Sequence, residues 1–533
     1  MMKRLITTLN LFAGLSLGCK AHYCHDRGMV YSFNSIEPSA NLTWTPCFDN
    51  FTCSKLEVPI DYSDQALGTT WIAFIKLAGK NATDESPSIV LLPGGPGGSG
   101  VDLLISDQAI IPEVIGEQYN VVSFDPRGVN NSGLGIDCFS GNTEARSVFS
   151  QLHATGTTNV SSTSLEEQYY SSYIYGDWCN NAVETHSSYG YYVTTPAVAH
   201  DLLTFVEAEA ESVGQSPSDA KLWAYGVSYG TVTGVTFASM FPDRVERMIL
   251  DGVVNAEQYY VNDWSASVDQ MDETMEKFST LCYSAGPEAC AFWGPSAANI
   301  TTRLNGIIQQ LPGHPVPVSG VQTGDLPALV TYSDLKAFFV NAVYFPIATF
   351  PAMADVLQQI EQGNFSALVG TFDASEVISP DAGNVIRCVD SYPRNGLTTI
   401  EDFQNFVEYS VSKSKYLGDI WPIFVDSILC LSFQPQLPDS MVMKDPIGGR
   451  TTFPIMFASN TIDPITPLQS ARNISAHFPG SALVMQEAIG HTVVGQGGSD
   501  CYFGYVQAYL QGIVPPSNTT CPQQYIPFID NPL

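Results

Sequence analysis

Ser228 is the central residue of the sequence Gly-Val-Ser-Tyr-Gly, which lies between an apolar run at 222–225 and a small-residue stretch of helical character at 231–240. A Gly-x-Ser-x-Gly sequence at a strand-to-helix junction is typical of a nucleophile elbow, a sharp turn that exposes the serine hydroxyl. We expect both glycines to be required, because a side chain at either position would collide with the neighbouring strand or helix. The motif also fits an ordinary turn, since the chain contains 43 glycines. Ser228 is therefore a candidate nucleophile that needs partner residues to support it.

A serine nucleophile requires a general base and a carboxylate that orients the base, and with this elbow the chain order is serine, acid, histidine. Asp463 follows the apolar run 454–458, and His491 follows the apolar run 482–486. Both residues are thus expected at the ends of strands. The sequence predicts that Ser228 attacks a carbonyl carbon, that His491 takes up and returns the proton, and that Asp463 orients the imidazole.

Other residues compete for these two roles. His477 also follows Asp463 in the chain, but it falls near the end of a predicted helix rather than after a strand. Asp500 is an alternative acid, although it comes after His491 and would break the chain order. Taken singly, Asp463 also fits a helix N-cap and His491 an exposed loop histidine.

A glycine-rich loop at 93–100 directly follows an apolar predicted strand. It contains Gly-x-Gly-x-x-Gly, and Asp125 ends the next predicted strand, which together match a dinucleotide-binding fingerprint. Pro96 argues against that interpretation, because it removes a backbone donor that a pyrophosphate would use. We favour an oxyanion loop, in which the N–H groups of Gly95 and Tyr229 stabilise the developing negative charge. A purely structural glycine turn is the third interpretation.

The elements that would position these residues show the pattern of an α/β fold, in which short apolar runs alternate with helical stretches. Several runs are continuously apolar, as expected when helices cover both faces of a mostly parallel sheet. The helical pattern 196–210 precedes the elbow strand. The predicted strands are 71–77, 88–92, 119–124, 221–225, 247–250, 454–458 and 482–486.

Between residues 254 and 450 this alternation gives way to helical patterns. The clearest of these are 300–311, 333–344 and 400–416. We predict an inserted, mainly helical cap at 255–450. It would divide an α/β core into a first part at 22–254 and a second part at 451–533, which carries the candidate acid and base.

The composition excludes some functions. With 533 residues, 44% of them hydrophobic, the chain is globular rather than disordered. Its 22 Lys and Arg against 53 Asp and Glu give a net charge of −31, which repels nucleic acid and anionic membrane surfaces. We therefore predict no nucleic-acid partner and no stable membrane association. The acidic surface favours substrates that carry an amine, or serves solubility alone.

The first 21 residues have the layout of a secretory signal peptide. Lys3 and Arg4 precede the mostly apolar stretch 5–18, which is too short for a comfortable membrane span. We predict a secreted, extracellular glycoprotein. The candidate glycosylation sites are Asn41, Asn50, Asn81, Asn159, Asn299, Asn364, Asn473 and Asn518, while Asn130 lies inside a motif described next.

Taken together, the glycine-rich loop, the segment Phe-Asp-Pro-Arg-Gly-Val-Asn-Asn-Ser-Gly at 124–133, the elbow, Asp463 and His491 resemble the tripeptidyl-aminopeptidase and prolyl-aminopeptidase group of α/β-hydrolases. The resemblance covers nearly the whole mature chain. It implies an α/β-hydrolase fold with a helical cap and a structural role for Arg127. It also implies a serine exopeptidase that releases short peptides or single residues from a peptide substrate with a free N-terminus. No metal or organic cofactor is implied.

The resemblance also bears on the cap and the cysteines. In such enzymes cap carboxylates hold the substrate amine, and Glu257, Asp263, Asp269 and Asp272 are candidates, although a solvated acidic helix face is the favoured interpretation for any one of them. The 12 cysteines show no metal-type clustering, so disulfides are expected. Proximity or the resemblance suggests the pairs Cys47–Cys53, Cys138–Cys179, Cys282–Cys290, Cys388–Cys430 and Cys501–Cys521. Cys24 lacks a partner if Cys19 leaves with the signal peptide.

Two alternative functions use the same fold. A secreted carboxylesterase or lipase would use the same catalytic residues, because the pocket selects the bond that is cleaved. A non-catalytic binding protein is disfavoured, since such proteins usually lose a member of the triad and all three candidates are present here. The sequence leaves the oligomeric state open.

Overall fold

A ten-stranded sheet forms the centre of the protein. The computed structural model describes residues 28–83, 85–321, 326–373 and 381–530. The strands of the sheet are β1 (Thr45–Cys47), β2 (Phe51–Pro59), β3 (Thr69–Leu77), β4 (Ser88–Leu92), β5 (Asn120–Asp125), β6 (Leu222–Val227), β7 (Val245–Asp251), β10 (Met456–Ile462), β11 (Ala482–Ile489) and β12 (Thr519–Cys521). A separate antiparallel pair consists of β8 (Val316–Val318) and β9 (Ala328–Val330).

The strand order is β1-β2-β3-β5-β4-β6-β7-β10-β11-β12. Strands β1, β2, β3 and β5 pair antiparallel, and the pairs from β5 to β12 are parallel. Since parallel strands end at the same edge, the residues that follow β4, β6, β7, β10 and β11 meet at one edge of the sheet. The prediction of a mostly parallel sheet is confirmed.

Helices cover both faces of this sheet because successive side chains of a buried strand point to opposite sides. In β5, Val122 and Phe124 join one apolar cluster while Val121 joins another. The first face packs against α5 (Thr195–Ser212), α6 (Tyr229–Met240) and α15 (Leu468–Ala476), and the second against α1 (Gly100–Asp107), α2 (Ile111–Ile115) and α16 (Asp500–Leu510). Helices α3 (Thr143–His153) and α4 (Ser164–Thr185) precede α5.

The segment between β7 and β10 is mainly helical, as predicted, and supplies most of a separate apolar cluster that includes Phe278, Phe339 and Trp421. The β8–β9 pair inside it was not predicted. The limits of this cap as a domain, 255 and 450, stay a prediction. Its helices are α7 (Ala256–Tyr259), α8 (Met271–Ala285), α9 (Ala297–Gln310), α10 (Tyr332–Tyr344), α11 (Pro346–Glu361), α12 (Asp381–Ser391), α13 (Ile400–Lys413) and α14 (Trp421–Val425).

All five suggested disulfides are present: Cys47–Cys53, Cys138–Cys179, Cys282–Cys290, Cys388–Cys430 and Cys501–Cys521. Cys19, Cys24 and the predicted signal peptide lie outside the described residues. Asn299 is half-buried, and the other seven candidate glycosylation sites are exposed, so their attachment of glycans stays a prediction. Within the part of the chain that the structure describes, no helix is long and apolar enough to span a membrane.

Candidate active site

Ser228 sits on a strained turn between β6 and α6. Its φ is 54° and its ψ is −125°, a conformation that costs a non-glycine residue on the order of 1–3 kcal/mol. A Cβ on Gly226 would lie 2.7 Å from the carbonyl oxygen of Gly230, and one on Gly230 would lie 2.1 Å from that of Leu92. The two glycines are thus required by close backbone approach. Ser228 itself is half-buried.

The glycine-rich loop lies directly against this serine. A Cβ on Gly94 would be 3.3 Å from the Cβ of Ser228 and 3.8 Å from its Oγ. The N–H of Tyr229 belongs to the first turn of α6, where backbone donors have no acceptor within the helix. Gly95 and Tyr229 therefore lie on the two backbone segments that border Ser228, and an oxyanion-binding role for their N–H groups is a proposal.

Asp125 holds the glycine-rich loop in place. Its buried carboxylate accepts hydrogen bonds from Ser99 Oγ at 2.6 Å, from the N–H of Val101 at 3.2 Å, and from both the N–H and the side-chain amide of Asn131. Burial raises the pKa of this carboxyl, against the lowering effect of these donors. Since donors from residues 99, 101 and 131 occupy the carboxylate, the structure gives no support to a ribose-binding role.

Arg127 is a structural residue, as the sequence indicated. Its fully buried guanidinium donates two hydrogen bonds to Asp201, at 2.6 and 2.7 Å, and further ones to the carbonyl oxygens of Pro59 and Ile60 at 2.7 Å. A bidentate arginine of this kind fixes backbone segments with high geometric specificity. It connects the loop after β5 with the end of β2 and with helix α5.

Asp463 and His491, from the loops after β10 and β11, are in direct contact. The Nδ1 of His491 lies 3.1 Å from Oδ2 and 3.2 Å from Oδ1 of Asp463. The same carboxylate accepts the N–H groups of Ile465 and Thr466 at 2.9 Å, the Thr466 hydroxyl at 2.9 Å and the N–H of Thr492 at 3.1 Å. Four donors besides the imidazole thus hold this fully buried carboxylate in place.

Asp251 and Gly252, which follow in sequence at the end of β7, connect this pair with the serine. The N–H of Ser228 donates to the carbonyl oxygen of Asp251 at 3.0 Å. A Cβ on Gly252 would lie 3.3 Å from Cε1 of His491. The Nε2 of His491 is buried and has no hydrogen-bond partner among the described residues. Ser228 therefore contacts Asp251, and the imidazole of His491 lies next to the adjacent Gly252. No hydrogen bond joins Ser228 and His491 among the described residues.

The helical segment reaches the histidine and the aspartate. The edge of the Tyr344 ring packs on the His491 ring with 5.6 Å between centroids, and the Tyr344 carbonyl accepts the N–H of His491 at 2.9 Å. Gln270 accepts hydrogen bonds from the N–H groups of Asp463 and Leu468 and donates to the carbonyl oxygen of Thr461. The cap thus supports both residues. Sequence reasoning missed Tyr344, Gln270 and Asp251 because these contacts are long-range.

The competing residues lie elsewhere. His477, at the end of α15, is 3.5 Å from Glu257, and both side chains are largely exposed. Asp500 is the exposed first residue of α16. His477 is therefore an exposed helix-end residue paired with Glu257, whereas the histidine in contact with Asp463 is His491.

Contacts within the protein engage two of the four candidate cap carboxylates. Asp263 accepts hydrogen bonds from its chain neighbours Gln258 and Ser265, and Asp272 accepts them from residues 414–416. Asp269 lines a cavity of about 210 Å³ beside α15. Structural roles account for Asp263 and Asp272, so neither gains support as an amine-binding group.

The arrangement is chemically that of a serine hydrolase. Its parts are a serine on an elbow, an imidazole whose Nδ1 faces a buried carboxylate, and backbone N–H groups beside the serine. Such parts suit the cleavage of an ester or amide bond through an acyl-enzyme. The chain order also matches.

Comparisons with known proteins agree with this chemistry. A family model described as "alpha/beta hydrolase fold" matches residues 87–281, and one described as "TAP-like protein" matches residues 428–521. The chain is 27% identical over 501 residues to serine protease Hip1 of Mycobacterium tuberculosis, covering 90% of each protein. It is 24% identical over 513 residues to a tripeptidyl aminopeptidase of Streptomyces lividans, covering 90% of this chain and 87% of that one.

Two further similarities are weaker. The chain is 23% identical over 497 residues to carboxylesterase B of Mycobacterium tuberculosis, covering 88% of this chain and 86% of the relative. Among solved structures, an acetylester hydrolase from Corynebacterium glutamicum matches with 10% identity and a TM-score of 0.37, covering 87% of this chain and 95% of that one.

Proposed function

We propose that this chain, which has an α/β-hydrolase fold, is a secreted serine exopeptidase that releases short peptides or single residues from free N-termini. The observation that carries the proposal is the contact between His491 Nδ1 and the buried carboxylate of Asp463, at 3.1 Å, beside an elbow serine. The relatives named serine protease and tripeptidyl aminopeptidase support a peptide substrate. The five disulfides are consistent with an extracellular location.

In the proposed mechanism, Ser228 Oγ attacks the carbonyl carbon of the scissile peptide bond while His491 Nε2 takes its proton. Asp463 stabilises the imidazolium that forms, and the N–H groups of Gly95 and Tyr229 stabilise the oxyanion. His491 then donates the proton to the leaving amine, which departs with the rest of the substrate. A water molecule attacks the acyl-enzyme with His491 again as base, and Ser228 is regenerated.

A carboxylesterase is the second candidate, because one relative carries that name and the same residues would cleave an ester. The two functions differ in what the pocket must recognise. A peptidase of the proposed type needs contacts to the substrate's amine, whereas an esterase does not.

The test compares wild type with Ser228→Ala on fluorogenic peptides of one, two and three residues, each with a free and a blocked N-terminus, and on a short-chain ester. Ser212→Ala, an exposed serine at the end of α5, serves as the matched control. We expect cleavage that requires Ser228 and a free amine, and the preferred peptide gives the cutting length. Ester turnover without peptide cleavage would establish the second candidate instead.

A further inference from the structure

Asp251 contacts both halves of the proposed catalytic apparatus. Its backbone carbonyl accepts the N–H of Ser228, as described above. Its side-chain Oδ1 accepts the N–H of Val493 at 2.7 Å, and its Oδ2 accepts the N–H of Val494 at 3.0 Å. These two valines follow His491 after one intervening residue. A single residue therefore sets the position of the elbow relative to the histidine loop.

The carboxyl of Asp251 is fully buried, with one further donor. The Tyr225 hydroxyl donates to Oδ2 at 3.1 Å and is itself 2.7 Å from the hydroxyl of Tyr502. The titratable groups around Asp251 are thus Tyr225 from β6, Tyr502 from α16, Asp463 from the loop after β10, and His491 from its own loop. Asp463 is already engaged by the His491 ring, whereas Asp251 contacts the backbone that follows His491 in the chain.

We propose that Asp251 is a positioning residue for His491, and that its ionised form holds residues 491–494 in the active arrangement. This inference rests on the proposed function. An ionised carboxylate accepts all three donors at once, and its hydrogen bonds are roughly twice as strong as neutral ones. Protonation turns one oxygen into a donor, so the hold on the N–H of Val494 or on Tyr225 weakens.

The protonation of Asp251 falls in an accessible pH range. Burial raises the pKa of this carboxyl to about 6, although the donors Val493, Val494 and Tyr225 act to lower it, and the nearby charge of Asp463 raises it further. We therefore expect activity to be lost on acidification for two reasons: the protonation of Asp251 and the protonation of the catalytic base. A residue with a purely structural role would not move this limb of the pH profile.

The test measures, from about pH 4 to pH 8, the rate at which a fluorophosphonate probe labels Ser228 in the full-length protein, together with hydrolysis of a peptide substrate. Tyr225→Phe removes a donor to the carboxylate, so it should raise the pKa of Asp251 and shift the acid limb to higher pH. Asp251→Asn removes the ionisation. It should lower both the labelling rate at the optimum and the kcat for the peptide about tenfold, with little change in KM.

Glu209→Gln is the matched control. Burial raises the pKa of Glu209 as well, but its carboxyl accepts Ser88 Oγ at 2.6 Å at the start of β4, the opposite edge of the sheet. Its replacement should leave the acid limb in place. If Asp251→Asn does not fold, the acid limb of the pH profile measured for Tyr225→Phe decides the question.

A wild-type acid limb in Tyr225→Phe, with native circular dichroism, would overturn the inference. A wild-type protein that is not labelled at Ser228 at any pH would instead remove the proposed function. The two failures are therefore distinguishable.

Discussion

Gly383, in the first turn of α12, lies against Gly97 of the glycine-rich loop so closely that neither residue tolerates a side chain. A Cβ on Gly97 would be 2.6 Å from the backbone nitrogen of Gly383, and one on Gly383 would be 2.5 Å from the carbonyl oxygen of Pro96. Helix α12 belongs to the segment between β7 and β10. The cap therefore braces the loop that carries Gly95, and the shape of the proposed oxyanion site depends on the cap.

Gly383→Ala tests this contact. The new methyl group must displace the glycine-rich loop, so we expect about a tenfold loss of kcat with a smaller change in KM. The control is Gly306→Ala in α9, where a Cβ meets nothing within 4 Å. This second substitution should raise stability by up to about 1 kcal/mol and leave the kinetics unchanged. Equal activity in both variants would show that α12 does not brace the loop.

Replacement of Asp463 tests the triad. Asp463→Asn keeps the shape but lets the amide donate toward His491, which disfavours the required tautomer and removes the charge that stabilises the imidazolium. We expect kcat to fall by about 10³- to 10⁴-fold. His477→Ala should have no effect on kcat, since His477 pairs with Glu257 on the surface. A large loss in His477→Ala with normal activity in Asp463→Asn would reverse the assignment.

Gln270→Ala tests the support that the cap gives to the aspartate loop. The substitution removes hydrogen bonds to the backbone of Thr461, Asp463 and Leu468. We expect kcat to fall about three- to tenfold, because the orientation of Asp463 becomes less defined. The exposed residue Gln309 in α9 provides a matched glutamine-to-alanine control, for which no change is expected. A variant with a lower melting temperature but with the wild-type kcat at low temperature would contradict the prediction.

The stability of the protein should fall as the pH rises from about 4 to about 6. Burial raises the pKa of both Asp251 and Asp390 to about 6, so in this window the folded state binds more protons than the unfolded state. The contribution is fully present below the unfolded pKa and is lost as the pH rises through the folded one. Each group contributes on the order of 3 kcal/mol at most.

Urea unfolding at several pH values measures this trend. Asp390→Asn replaces a carboxyl that accepts hydrogen bonds from Thr195 and Tyr259 by a group that does not titrate. The pH dependence of this variant should be flatter than that of the wild type. An unchanged slope would mean that Asp390 does not titrate in this range.

Several elements could be predicted because their signals are local. The strand predicted at 88–92 has the bounds that the structure shows for β4, since a continuous apolar run between turn residues describes a buried strand completely. Strand β11 was predicted to end at 486 but extends to Ile489. Strands β1, β2 and β12 were not predicted. β1 and β12 have three residues each, and so short a run carries no periodicity.

The candidate catalytic residues were identifiable in the sequence because each follows a predicted strand or lies at a glycine turn. Short sequence motifs indicate such positions. The glycines at 226 and 230 could be explained in advance, since a tight turn excludes a Cβ wherever it occurs. The carboxylates proposed to bind the substrate amine could not be identified in this way. An acidic residue on a helix has the same local pattern whether it faces a substrate or caps its own segment, as Asp263 does.

The sequence by itself determined the strand–helix alternation from which a mostly parallel sheet was predicted, the elbow at Ser228 and the order of the three candidate residues, because these depend on neighbours in the chain. The tertiary structure alone decided that Asp463 contacts His491, that Asp251 holds the histidine loop, and that α12 braces the glycine-rich loop. Those contacts join residues 28 to more than 280 positions apart, and their distances are set by how strands pair and helices pack. No local pattern encodes such distances.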